Sequence, residues 1–289
     1  MAVARALTNA GYQVIALDKN IKESLDGVIP VQADITDESS LLAAFEKVKT
    51  WTDSLYAIVH FAGTYMLDSL VEISEERYTR AFDINVFGAY RVNKIFLPLL
   101  EKGGRIIITT SELAPLAPLP FTGLYAITKL ALDKYAYSLR MEVQLLGISV
   151  SVLRPGAVNT DMLGVSTSAL DVFCENSALY ACNAKRFKDI VNRVESRNIS
   201  ADKIGKKTLK VIKAKRPKQV YSINRNPLLL LLNILPKRIQ TWIIKQVLKN
   251  KETDSIYIVA EVTCVAVDSA TGKMIRQMPD YITNACLKN

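Results

Sequence analysis

Apolar runs and amphipathic stretches alternate along the first 160 residues of the chain. Short apolar runs predict buried strands, and longer segments with an apolar residue every three or four positions predict helices. The predicted strands end near positions 18, 35, 63, 110 and 153, and the predicted helices cover 1–11, 37–50, 74–103 and 121–147. Strands that alternate with helices in this order are typical of α/β proteins with a parallel sheet.

Composition adds few constraints to this pattern. Hydrophobic residues make up 49% of the 289-residue chain and charged residues 22%, as in ordinary globular proteins. The four cysteines form no C-x-x-C pair, and with the single histidine, His60, they make no metal-site spacing. Without a secretory signal or an apolar run of ~20 residues, the sequence predicts a cytoplasmic protein with reduced thiols and no metal.

The segment from Ser111 to Lys129 carries the candidate chemistry. Tyr125 and Lys129 are four residues apart, so a helix places both side chains on one face. We expect the lysine cation to lower the pKa of the phenol from ~10, so that Tyr125 can exchange a proton near neutral pH. Ser111, at the end of a predicted strand, can hydrogen-bond the same substrate oxygen. Taken alone, the Tyr-x-x-x-Lys spacing is also compatible with a solvent-facing pair on an amphipathic helix.

The order strand, Ser111, loop, Tyr125-x-x-x-Lys129 resembles the short-chain dehydrogenase/reductase family, as do other segments in sequence order over residues 1–250. The resemblance implies that Tyr125 is the general acid/base, that Lys129 also binds the nicotinamide ribose, and that Ser111 orients the substrate oxygen. The loop before Tyr125 is about one residue longer than usual, which leaves Thr110 as an alternative to Ser111. The resemblance also implies that Asn85 lies at a helix irregularity and supports a proton relay to the lysine.

The resemblance implies a nicotinamide cofactor. An acid at the end of the second Rossmann strand accepts hydrogen bonds from ribose hydroxyls and repels a 2′-phosphate, so Asp18 favours NAD, while Lys19 leaves NADP open. The resemblance assigns further cofactor contacts to Asp34, Ile35, Ala62, Gly63, Pro155, Gly156, Val158 and Thr160. His60 is interpreted as a packed residue at a strand end.

The front of the chain differs from the family pattern. Residues 1–11 form a predicted helix with no strand before it, and the Gly-x-x-x-Gly-x-Gly turn that holds the pyrophosphate is absent from the sequence. We therefore expect a Rossmann-like doubly wound parallel sheet that lacks its first strand. A start site assigned too late, a fragment and a degraded gene product are all compatible with this pattern.

Three segments in the second half of the chain suggest which substrate and partners it binds. The resemblance places the segment that covers the substrate at 161–225, and the apolar residues there suggest a lid for a hydrophobic alcohol or ketone, such as a steroid, retinoid or acyl-chain compound. The basic segment 203–218 is interpreted as a solvated helix face and not as a nucleic-acid site, because no aromatic residues interleave it. Apolar residues beside cations in 227–249 suit a peripheral membrane helix, a substrate-mouth helix or a homo-oligomer contact.

The last segment, 251–289, alternates as two strands around a turn and predicts a β-hairpin appendage. It resembles the closing hairpin of hot-dog thioesterases, without the catalytic acid and its helix. Three hypotheses follow for the whole chain: a hydride-transferring oxidoreductase, a non-catalytic family member that binds no cofactor, and a thioesterase-related fusion.

Overall fold

The computed structural model describes residues 1–20, 26–160 and 170–249, and residues 1–249 form one compact unit. The strands of the described residues are β1 (Val14–Asp18), β2 (Val28–Gln32), β3 (Leu55–His60), β4 (Leu100–Thr109), β5 (Ser149–Pro155), β6 (Val158–Asn159), β7 (Ile199–Ser200) and β8 (Val220–Ile223). The α-helices that can be given full bounds are α1 (Ala2–Thr8), α2 (Glu38–Lys49), α3 (Glu75–Phe82), α4 (Gly88–Phe96), α5 (Gly123–Val143), α6 (Ala181–Glu195), α7 (Ala201–Lys213), α8 (Pro227–Ile234) and α9 (Lys237–Leu248).

Every strand pairing in the described residues is parallel. One four-stranded sheet has the order β3-β4-β5-β8, β1 pairs with β2, and β6 pairs with β7. These pairings confirm the predicted α/β class with a parallel sheet. Within the described residues, no hydrogen-bonded strand joins β1 to β3, so β1–β2 and the four-stranded sheet are separate.

Both faces of the four-stranded sheet are covered, as parallel sheets require. Ile106 and Ile108 of β4 pack on one side against residues of α2, α4 and α5, whereas Ile107 packs on the other side with α1 and α7. This alternation follows from the period of two along a strand. The continuous apolar run in β4 is therefore buried on both faces.

The predicted helix over 74–103 is interrupted and ends early. It consists of α3, a π-helical segment at Asp83–Phe87, α4 and a 3₁₀ turn at Leu97–Leu99, after which β4 begins at Leu100. Pro98 lacks a backbone N–H and disfavours further helix, which accounts for the early end. In α2, Leu41 and Val48 are buried, whereas Leu42 is half exposed.

A separate apolar cluster lies in the region predicted to cover the substrate. Phe121, just before α5, packs with Leu170, Phe173 and Phe187. Of the predicted lid residues, Met162 and Leu163 lie outside the described residues, and Val172 is exposed. The predicted hairpin over 251–289 also lies outside them.

Candidate active site

Ser111, Tyr125 and Lys129 converge at the carboxyl end of β4. Ser111 follows that strand by two residues, and the other two side chains lie one turn apart on α5. The Ser111 and Tyr125 side chains share a hydrogen bond, and Lys129 Nζ lies 5.7 Å from the centre of the Tyr125 ring. All three residues are buried. The arrangement excludes a solvent-facing Tyr-x-x-x-Lys pair.

Thr110, the alternative to Ser111, turns away from this cluster. Its hydroxyl donates to Asp133 Oδ1 at 3.3 Å, and the Leu153 carbonyl oxygen lies at 3.4 Å. Of the two hydroxyls, Ser111 is therefore the one placed to share a substrate oxygen with Tyr125.

The electrostatics of the pair differ from expectation. Burial raises the pKa of Tyr125 to about 12, against the smaller lowering effect of the Ser111 hydrogen bond. Burial also lowers the pKa of Lys129 to about 8. The expected lowering of the phenol pKa by the lysine cation is wrong for this structure, because desolvation disfavours the charged form of both groups.

Asn85 lies in the π-helical segment between α3 and α4, which matches the expected helix irregularity. Its Nδ2 donates to the Thr64 carbonyl oxygen and to Thr128 Oγ1, each at 3.0 Å, and its Oδ1 accepts from the Thr64 N–H at 2.8 Å. A Cβ atom at Gly63 would lie 3.1 Å from Asn85 Oδ1 and 3.2 Å from Lys129 Nζ. Gly63 thus allows Asn85 and Lys129 to approach the same backbone.

Glu112 is a buried acid at the site that the sequence did not single out. Its Oε2 accepts from the Asn226 N–H at 2.6 Å, and its own N–H donates to the Pro155 carbonyl oxygen at 2.8 Å. Burial raises the pKa of Glu112, and its charge adds to the raised pKa of Tyr125. The only signal for this acid in the sequence was its position directly after Ser111 at the end of β4.

The turn after β5 is held by contacts that the sequence did not predict. The Gly156 N–H donates to the Ile223 carbonyl oxygen at 2.8 Å, and a Cβ there would lie only 2.1 Å from the Asn224 carbonyl oxygen. Asn224 has φ +56°, and its Nδ2 donates to the Ala157 carbonyl oxygen at 2.9 Å. Contacts with Glu112 place Pro155 and Gly156 beside the segment that begins with Ser111, whereas Val158 pairs with Ile199 of β7 and Thr160 is exposed.

Arg154 and Asp133 form a bidentate ion pair next to this turn. Arg154 Nε donates to Asp133 Oδ1 at 2.9 Å, and the Arg154 guanidinium donates to Oδ2 at 2.6 Å. Asp133 lies on α5 one turn beyond Lys129, and it also accepts from Thr110. The ion pair therefore ties the ends of β4 and β5 to the helix that carries Tyr125.

The residues assigned to adenosine lie at the ends of β1 and β2. Asp18 is exposed, and its Oδ1 accepts from the Asn20 N–H at 2.8 Å. Lys19 Nζ lies 2.7 Å from Asp34 Oδ2, and this contact with bonds from Thr36 holds the pKa of Asp34 well below its usual range. Ile35 is fixed by Arg91, which donates to its carbonyl oxygen at 3.3 Å.

His60 is the last residue of β3, and Ala62 follows the strand by two positions. Ala62 is exposed in the loop after the strand. The ring Nε2 of His60 lies 2.8 Å from Asn93 Oδ1, and Asn93 in turn donates to the Tyr135 hydroxyl at 3.0 Å. Burial lowers the pKa of His60 to about 4, so the ring is neutral at physiological pH. This network confirms the interpretation of His60 as a packed residue.

Comparison with known proteins identifies relatives of this chain. The family model described as short chain dehydrogenase matches residues 1–171. The chain is 29% identical over 189 residues to the NADPH-dependent 1-acyldihydroxyacetone phosphate reductase of Schizosaccharomyces pombe, covering 62% of this chain and 63% of that protein. It is 31% identical over 174 residues to estradiol 17-beta-dehydrogenase 2 of Mus musculus, covering 56% and 46%. The chain thus spans about half to two thirds of these relatives.

Solved structures share the fold. A short-chain dehydrogenase from Streptomyces avermitilis superposes with a TM-score of 0.65 at 18% identity, over 85% of this chain and 90% of that one. An alcohol dehydrogenase from the archaeon Thermococcus sibiricus, complexed with 5-hydroxy-NADP, gives 0.61 at 21% identity, over 78% and 92%.

Proposed function

Since the chain belongs to the short-chain dehydrogenase family, we propose that it transfers a hydride between a nicotinamide cofactor and a secondary alcohol or ketone. The observation that carries the proposal is the convergence of Ser111, Tyr125 and Lys129, with Asn85 held in a π-helical segment beside them. Segments of π-helix inside α-helices occur frequently at functional sites.

The chain's own residues would handle the proton. A phenol with a pKa of about 12 is protonated at neutral pH, so Tyr125 is ready to donate to the oxygen of a ketone as negative charge develops there. Ser111 would donate a second hydrogen bond to the same oxygen and so orient the carbonyl. Lys129 and Asn85 would return a proton toward Tyr125.

The nicotinamide ring would supply or accept the hydride. The small residue at Gly63 leaves room beside Lys129, and the turn at Gly156 presents backbone near Ser111, so these segments fit the nicotinamide half of the cofactor. We infer a preference for NAD over NADP from Asp18, since Lys19 is engaged with Asp34. Ala62, Val158 and Thr160 would complete the contacts.

The substrate is proposed to be hydrophobic. Tyr65 packs against the cluster of Phe121, Leu170, Phe173 and Phe187, and its ring centre lies 4.6 Å from that of Tyr125, so the apolar cluster adjoins the candidate acid/base. The relatives' names, an acyldihydroxyacetone phosphate reductase and an estradiol dehydrogenase, describe substrates with large apolar parts. Both observations support a steroid-, retinoid- or acyl-like alcohol or ketone.

The second candidate function is a non-catalytic family member. The separation of β1 from β3 in the described residues and the absence of a Gly-rich turn from the sequence favour it. A Rossmann-like sheet that lacks its first strand would show both of these features. A folded protein that binds no dinucleotide would support this candidate. The thioesterase-related alternative depends on 251–289, and hydrolysis of acyl-CoA substrates would test it.

The experiment for the main proposal measures NADH- and NADPH-dependent turnover of a panel of hydrophobic ketones. Tyr125→Phe removes only the hydroxyl, and loss of general acid catalysis is expected to lower turnover by about 10²–10⁴-fold. Tyr137→Phe is the matched control, because Tyr137 lies on the same helix with half of its surface exposed. Unchanged turnover in Tyr125→Phe, with activity in the parent protein, would refute the assignment.

A further inference from the structure

The outward face of α8 is entirely apolar. Its exposed residues are Pro227, Leu228, Leu231 and Ile234, and the last three have 62%, 60% and 79% of their surface accessible. A helix on a protein surface ordinarily turns polar residues outward. Here one helix face exposes three large aliphatic side chains together, which marks it as a contact surface.

The next helix, α9, presents cations and a tryptophan. Arg238, Trp242 and Lys245 are spaced four and three residues apart, so they form one stripe along the helix. All three are exposed, and Trp242 has 62% of its surface accessible. Tryptophan and long basic side chains are the residues that suit the boundary between lipid acyl chains and headgroups.

The two helices are locked to each other. Gln240 is buried, and its Nε2 donates to the Leu235 carbonyl oxygen at 2.7 Å and to the Asn233 carbonyl oxygen at 3.3 Å. These bonds fix the turn between α8 and α9. The apolar face and the basic stripe are therefore held in one arrangement, named here the α8–α9 surface.

Charge selects the partner of the α8–α9 surface. Between positions 203 and 249 the sequence has thirteen lysines and arginines and no aspartate or glutamate. An apolar surface next to a strongly basic segment is complementary to an anionic bilayer, which offers both acyl chains and phosphates. A second copy of this chain would bring the same positive charges against one another.

We propose that the α8–α9 surface binds an anionic lipid bilayer. Leu228, Leu231 and Ile234 enter the acyl boundary, while Arg238 and Lys245 contact lipid phosphates. Neither helix needs to span the bilayer, and no helix of the described residues is long and apolar enough to do so.

The inner face of α8 is bonded to the loop that leads to Tyr125. Asn233 Oδ1 accepts from the Ala117 N–H at 2.7 Å, and Glu112 accepts from Asn226 at the start of the helix. A bilayer on the outer face thus lies one helix away from the segment between Ser111 and Tyr125. Delivery of an apolar substrate from lipid rests on the proposed function, whereas lipid binding itself does not.

Co-sedimentation of the full chain with vesicles tests the surface without any turnover measurement. We expect strong binding to vesicles of phosphatidylcholine with phosphatidylserine, weaker binding to phosphatidylcholine alone, and weakening by salt. The triple variant Leu228→Gln, Leu231→Gln, Ile234→Gln should bind at least about tenfold more weakly. The charge variant Arg238→Glu, Lys245→Glu should lose the preference for phosphatidylserine.

Matched controls lie elsewhere on the molecule. Leu145→Gln with Leu146→Gln changes leucines that are 85% and 58% exposed, and Lys47→Glu with Lys134→Glu makes the same charge change on α2 and α5. Both controls should bind vesicles like the parent protein. Failure of the parent protein to bind, or equal binding by the triple variant, would overturn the proposal. A dimer that the triple variant dissociates, without vesicle binding, would reassign the surface to self-association.

Discussion

Lys129 Nζ lies 5.7 Å from the centre of the Tyr125 ring, and both side chains are buried one turn apart on α5. Burial disfavours the charged form of each group. It therefore raises the pKa of Tyr125 to about 12 and lowers the pKa of Lys129 to about 8. The pair therefore favours a protonated phenol beside a lysine that titrates near physiological pH.

The first prediction concerns the stability of the protein in mild alkali. The pKa of Lys129 is about 8 when folded against an ordinary 10.5, so between these values the unfolded chain binds more protons. The free energy of unfolding should consequently rise with pH across this window, by up to about 3 kcal/mol. Urea unfolding at several pH values should show this rise in the parent protein and not in Lys129→Met.

Two features sharpen that test. The raised pKa of Tyr125 makes stability fall again above pH 10.0, so the comparison stays below that value. Lys134→Met, an exposed lysine on the same helix, should keep the rise. An identical rise in Lys129→Met would show that Lys129 is not the titrating group.

The second prediction concerns mild acid. His60 has a pKa of about 4 when folded against an ordinary 6.5, so the unfolded chain binds the extra proton between these values. Stability is therefore lost as pH falls from 6.5 toward 4, by up to about 3 kcal/mol from this residue. His60→Gln, which keeps an N–H donor toward Asn93, should lose less stability in urea unfolding across that window.

Asp34 also contributes to acid sensitivity, because its lowered pKa means that stability is lost as it becomes protonated. This contribution is present in both proteins, so the difference between them isolates His60. Equal loss of stability in the parent protein and His60→Gln would contradict the assignment of His60 as a neutral, partly buried histidine.

The third prediction concerns the ion pair between Asp133 and Arg154. Its two bonds are mostly shielded from solvent, so Arg154→Met should leave a carboxylate without its partner and destabilise the protein by about 2–4 kcal/mol in urea unfolding. Lys94→Met is the control, because the Lys94–Glu38 pair is more than half exposed and should change stability by about 0–1 kcal/mol. Similar effects of the two variants would show that the Asp133–Arg154 pair contributes no more stability than an exposed ion pair.

The fourth prediction concerns the choice of cofactor. Asp18 is exposed at the end of β1 and would repel a 2′-phosphate, so Asp18→Asn should improve the affinity for NADPH relative to NADH by about tenfold. Glu46→Gln, an exposed acid on α2, removes the same charge away from the site. An unchanged affinity ratio in Asp18→Asn would remove Asp18 from the cofactor site.

The sequence predicted the features that depend on local pattern. The strands ending at Asp18 and Thr109 follow from apolar runs, and the facing of Tyr125 and Lys129 follows from helical spacing. The early end of the predicted helix over 74–103 was missed, although Pro98 was a local signal for it.

Features that depend on distant contacts were not predicted. Glu112 meets Asn226 across 114 positions, and Arg154 meets Asp133 across 21, so neither pairing has a periodic signal. The raised pKa of Tyr125 was missed for a related reason. It depends on how completely the folded chain removes the phenol from water, which residue spacing does not report.

Fluorescence titration of the full chain with NADH, and separately with NADPH, tests whether this protein binds a nicotinamide cofactor. We expect saturable binding of both dinucleotides, with NADH bound more tightly because of Asp18. Circular dichroism on the same sample would establish that the protein is folded. Absence of binding to either dinucleotide by folded protein would contradict the oxidoreductase proposal and favour the non-catalytic alternative.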